Sequence, residues 1–159
     1  MIKIIATLLT IFAFNLSHAK VNVGIILGFT GPIETLTPGM SAGAELAFNE
    51  AADSGKLLNG QGINIIKVDS TCVDSAAATS AAESLISQGV TAIMGADCSG
   101  VTGAVLSNVA VPNGVPMISP SATSPGLTTA PDNGLFFRTA PSDARGGEVL
   151  ADITSSRGI

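Results

Sequence analysis

Apolar positions along the chain alternate between two periods. Val21 to Leu27 is a nearly unbroken apolar run, interrupted only by Asn22 and Gly24, and Ile63–Asp69, Val90–Gly95 and Val115–Ile118 repeat that character. Runs of this kind suit strands buried on both faces of a parallel sheet. Between them the spacing becomes helical. Met40, Ala44, Ala47, Phe48 and Ala51 share one face of a helix from Thr37, its predicted N-cap with Pro38 behind it, to about Asp53. Asp74 or Ser75 caps an alanine-rich helix ending near Gln88, and a third helix runs from about Val101 to Asn113. Gly55, Gly89 and Gly114 close the three, and Asn59-Gly60-Gln61-Gly62 makes a return turn. The alternation predicts an α/β fold, a doubly wound parallel sheet with right-handed crossovers and helices on both faces.

Parallel strands send all their outgoing loops to one rim, where open α/β sheets bind ligands. Thr30-Gly31, Cys72, Cys98-Ser99 and Ser119 to Thr123 are expected on that rim. Its centre is Val115 to Thr128, a strand end followed by small, hydroxyl-bearing and proline residues with no charge among them. Such a loop holds a ligand by oriented dipoles. From Thr129 onward the pattern breaks into a surface turn, a short strand at Leu135–Arg138 and a helix starting at Pro141-Ser142-Asp143.

Residues 1–19 stand apart from this pattern. Lys3, an apolar run from Ile4 to Phe14 and the small residues of Ser17-His18-Ala19 read as a secretory signal peptide cleaved after Ala19, too short for a membrane span. Lys20 follows the cut, so no lipid anchor is indicated. The remainder carries twelve acidic residues against six basic ones once Lys3 is removed, which disfavours nucleic acid as a partner. His18, the one histidine, leaves with the signal. Without it, and without a Gly-x-Ser-x-Gly elbow, abundant serine does not make a hydrolase. Gly60-Gln61-Gly62 precedes its strand, against the dinucleotide fingerprint. No metal or cofactor is expected. Cys72 and Cys98, an even pair in an exported chain, read as one disulfide.

Gly95-Ala96-Asp97-Cys98-Ser99, then Met117-Ile118-Ser119-Pro120-Ser121-Ala122-Thr123, then Phe137-Arg138-Thr139-Ala140-Pro141-Ser142-Asp143 follow one another along the chain. In order and spacing they resemble the leucine/isoleucine/valine-binding family, periplasmic solute-binding proteins of ABC transporters with the two-lobed type I periplasmic-binding fold. The resemblance implies a protein that captures a branched-chain or other small neutral amino acid, acts as a monomer, hands its cargo to a membrane permease and makes or breaks no bond. Family members are more than twice as long, so an N-terminal fragment is expected, with residues 20–134 in the first lobe and 135–159 as a crossover strand and the start of the second. The family's contacts to the amino acid's main-chain groups match Ser99, Ser121, Ala122 and Thr123. Ser99 alternatively only caps its helix, and Ser119 reads as a turn residue. Thr30 and Gly31 border the side-chain end of the pocket. Leu36 stands where several members carry an aromatic, which leaves the ligand open to amides or urea. A ligand-sensing receptor domain of the same fold is the other reading.

Overall fold

The computed structural model describes residues 20–56 and 60–159. The expected signal peptide and Asn59 of the return turn therefore lie outside the described residues. Five strands, β1 (Val21–Leu27), β2 (Ile63–Asp69), β3 (Ala92–Gly95), β4 (Met117–Ser119) and β5 (Phe136–Arg138), form one sheet in the order β2-β1-β3-β4-β5, and every neighbouring pair is parallel. Helix α1 (Thr37–Asp53) connects β1 to β2, and α2 (Ser75–Ser87) connects β2 to β3. Helix α3 (Ser99–Val105) continues into a π turn (Leu106–Ala110) and a last short helix, α4 (Val111–Asn113), before β4. A 3-10 turn (Pro125–Thr128) precedes β5, and α5 (Asp143–Ser156) follows it. The sheet reverses its winding between β1 and β3, the kind of position at which open α/β sheets bind ligands.

One face of the sheet carries the core. Ile26, Ile93 and Met117 are buried there against Ala82 and Leu85 of α2 and Val101 and Val105 of α3. Gly24 interrupts β1 because a Cβ at that position would come within 2.7 Å of Leu85 Cδ1. The opposite face is half covered. Ile25, Met94, Ile118 and Phe137 are in register across it. Beneath α1 Ile25 is fully buried, whereas Ile118 is 42% and Phe137 57% exposed. A groove of about 310 Å³ opens where α1 stops short, lined by Ala44, Ala47 and Phe48 of α1 with Met94, Ile118 and Pro120.

Local chemistry departs from the sequence expectation at three places. Thr37 does not cap α1: Leu36 occupies the N-cap with no side-chain bond, and the fully buried Thr37 hydroxyl donates to the Gly28 carbonyl at 3.1 Å. Thr37 already stands at the first helical position, and its hydroxyl proton ties α1 to the end of β1. Ser41, outside the expected apolar face of α1, is buried and donates to Glu45 at 2.7 Å, whereas Ala47 on that expected face is exposed. The third helix starts at Ser99 and widens into the π turn ahead of Pro112, which has no N–H to donate to the preceding turn. Asp74 caps α2 as expected, accepting from Ala76 and Ala77 amides, and Gly114 closes α4 in the left-handed conformation.

Candidate functional site

The rim is stitched together by side chains that leave the strand ends. Cys72, after β2, and Cys98, after β3, form a disulfide with Cα atoms 5.2 Å apart, so the two loops that flank the end of β1 are covalently joined. Ser119, fully buried at the end of β4, donates its hydroxyl to the Ala96 carbonyl and accepts the Ala122 amide at 3.0 Å. That fixes the first turn of the Ser121–Thr123 loop, as a turn residue would.

Ser99 and Thr123 are brought together. The Ser99 Oγ accepts the amides of Thr123 at 3.1 Å and Ser124 at 3.0 Å. A serine hydroxyl has two lone pairs and one proton. Both lone pairs are used, so the proton is what Ser99 has left to offer. It does not cap its own helix, whose N-cap is Cys98 with no side-chain bond; it clamps a loop that lies 24 residues downstream. Thr123 is arranged the other way. Its hydroxyl donates to Asp143 Oδ2 at 2.9 Å and its carbonyl accepts the Asp143 amide at 3.0 Å, while its own amide is committed to Ser99. Thr123 Oγ1 can therefore only accept from a ligand. Ser121 donates to the Asp97 carbonyl at 2.9 Å and likewise keeps lone pairs free. Ala122 is fully buried, and its carbonyl accepts Arg138 Nη1 at 3.3 Å. The rim thus has a donor at Ser99 beside hydroxyl oxygens left to accept at Ser121 and Thr123, while Ala122 is buried beneath them.

Thr30 and Gly31 sit apart from this group, on the β2 side of the rim. The Thr30 hydroxyl donates to Asp69, and Gly31 adopts φ 100° with the Thr71 carbonyl 2.5 Å from where a Cβ would stand, so only glycine fits. Partial burial pushes the Asp69 carboxyl up, but the Thr30 hydroxyl and the amides of Thr71, Thr30 and Phe29 outweigh it and hold the group below the usual aspartate range. No hydrogen bond joins Thr30 or Gly31 to the Ser99–Thr123 group among the described residues. Two residues that sequence reasoning gave no binding role support the site directly. Arg138 also donates to the Ser124 carbonyl at 2.8 Å and to the Thr128 hydroxyl, bracing the loop from β5, and Asp143 anchors it from α5. Their signal was present in the motif that contains both, but not the atoms they would reach. Among the described residues no three His, Cys, Asp or Glu side chains group as a metal site requires.

The polar groups of the rim follow β3 and β4 at the carboxyl edge of the sheet, the edge at which open α/β sheets bind ligands. A family model described as periplasmic binding protein matches residues 20–159, and the chain belongs to that family, with its type I periplasmic-binding fold. It is similar to the Leu/Ile/Val-binding protein BraC3 of Rhizobium johnstonii, 33% identical over 149 residues that make up 92% of this chain and 39% of the relative. Among solved structures, the branched-chain amino acid transporter substrate-binding protein LivJ of Streptococcus pneumoniae, in complex with isoleucine, is 31% identical at a TM-score of 0.70. That match covers 79% of this chain and 35% of LivJ. A solute-binding protein of an ABC transporter from R. palustris, in complex with benzoate, is 26% identical at a TM-score of 0.68, over 89% of this chain and 38% of that one. The chain thus spans about two fifths of the length of these relatives.

Proposed function

We propose that this chain supplies one wall of the ligand cleft of an ABC-transporter solute-binding protein that captures branched-chain or other small neutral amino acids. The observation that carries the reading is the opposed polarity of the rim: one hydroxyl restricted to donating, Ser99, beside hydroxyl oxygens left to accept at Ser121 and Thr123. An amino acid zwitterion needs that pairing, a donor for its carboxylate and acceptors for its ammonium. Charge-assisted hydrogen bonds are each worth roughly 1.5–3 kcal/mol, and a few of them reach micromolar affinity after the costs of association. The similarity to Leu/Ile/Val-binding proteins supports the same ligand class.

In this reading residues 1–19 export the chain, with cleavage after Ala19, and the ligand-loaded protein works outside the cytoplasm as a monomer that docks on a membrane permease. A second set of walls closes over the bound ligand, and no reaction follows. The test is a thermal-shift screen of the protein expressed from its entire reading frame, against neutral amino acids, short amides, urea and benzoate. Ligand at about a hundredfold its Kd stabilises the native state by roughly 2.7 kcal/mol. Leucine, isoleucine or valine should raise Tm, and Ser99→Ala should weaken that ligand by about 1–3 kcal/mol in calorimetry. A protein that responds to benzoate and to no amino acid would refute the reading, because benzoate has no ammonium for the acceptor row.

A further inference from the structure

Asp97 is a buried carboxyl group that the ligand reading does not use. It is 2% exposed, and its side chain takes part in neither of the ion pairs among the described residues, Lys67–Glu45 and Arg145–Glu148. Its oxygens are met by dipoles from the ends of β1 and β2 and by the amide of the next residue. Oδ2 accepts the Gly28 amide, at the end of β1, at 2.7 Å. Oδ1 accepts the Ser70 hydroxyl, at the end of β2, at 3.2 Å and the Cys98 amide at 2.9 Å. The Asp97 backbone carbonyl accepts the Ser121 hydroxyl at 2.9 Å. One residue therefore touches the exits of β1, β2 and β3 with its side chain and the loop after β4 with its main chain.

We propose that Asp97 is the positioning residue of the ligand rim. It acts through Ser99 and does not touch the ligand, and the role rests on the ligand reading above. The Cys98 amide it holds precedes Ser99, whose Oγ must face the Thr123 and Ser124 amides to fill both lone pairs and free its proton. Without the carboxylate, Cys98 loses its acceptor, the start of α3 can turn, and the clamp on Thr123 and Ser124 loosens. Asparagine cannot substitute. The Ser70 hydroxyl can reverse to accept from an amide, but the Gly28 and Cys98 amides cannot, and an asparagine has one oxygen for the two of them. A buried donor facing another donor is left unsatisfied.

The experiment is Asp97→Asn in the protein expressed from its entire reading frame, read by amide hydrogen exchange without ligand and by leucine calorimetry. Exchange at Thr123 and Ser124 should quicken about tenfold through local opening, with Ile25 and Ile26 unchanged. Leucine affinity should fall about tenfold in the Ser99 protein and not measurably further in a Ser99→Ala background, since residues acting as one unit are non-additive. An equal loss in both backgrounds, or unchanged exchange at Thr123 and Ser124, overturns the proposal. Should Asp97→Asn not fold, Ser70→Ala removes a single donor and should quicken the same two amides to a lesser degree; no change there overturns it equally. If the wild-type protein binds no amino acid, the ligand reading fails, and the exchange measurements still decide whether Asp97 sets the Ser99 clamp.

Discussion

The Ser99 oxygen receives two amide protons and keeps its own, whereas the Thr123 oxygen has given its proton to Asp143. The sequence motif brought these two residues to one site, and the opposed direction of their hydroxyls comes from neighbours that no spacing reveals. Thr37 teaches the same lesson from the other side. A threonine before proline reads as a helix cap, yet it stands one position inside the helix, and its hydroxyl donates to the Gly28 carbonyl at the end of β1. Asp69 offers a test at this scale. Its carboxyl lies below the ordinary aspartate range, so its contribution to stability is fully present above the unfolded value, about pH 4, and is lost as pH falls through the depressed folded value. Unfolding titrations from pH 6 downward should show stability falling below about pH 4, with the fall smaller in Asp69→Asn. Identical pH profiles for the two proteins would contradict the Thr30–Asp69 tie.

At the scale of elements the alternation of strand and helix was legible because each half carries its own period and its own stop signal. β1 and β2 fall where their apolar runs predict, and Asp74 and Gly114 mark a start and an end. The π turn was not legible: Pro112 announces a disturbance, but whether a helix kinks, stops or widens depends on the packing around it. Nor was the 3-10 turn at Pro125–Thr128, which Ser124 caps through the Gly126 amide within a loop otherwise free of regular structure. The loops on the rim are tied by the Cys72–Cys98 bridge, which closes 26 residues. Replacing both cysteines with serine should cost about 2–4 kcal/mol in denaturant unfolding. A loss below about 0.5 kcal/mol would mean that hydrogen bonds such as those of Asp97 hold the rim without it.

Over the whole molecule the two faces of the sheet are unequal. The α2–α3 side buries Ile93 and Met117 almost completely, while Ile118, the residue after Met117, and Phe137 of β5 remain open on the other side. All-parallel sheets are normally covered on both faces. A protein of residues 20–159 alone should therefore bind an apolar-sensing dye, and Ile118→Thr with Phe137→Thr should reduce that fluorescence; unchanged fluorescence would place the open surface elsewhere. In the proposed reading, recognition of one small ligand rests on the Ser99 donor and the acceptors at Ser121 and Thr123. It is tested most directly by calorimetry of leucine against 4-methylpentanoate, which lacks the ammonium, and 3-methylbutylamine, which lacks the carboxylate, on the protein expressed from its entire reading frame. Leucine should bind, and each truncated ligand should bind at least about a hundredfold more weakly, since each leaves one side of the rim unpaired. If 4-methylpentanoate bound as tightly as leucine, the acceptor row would have no part in recognition and the account would be wrong.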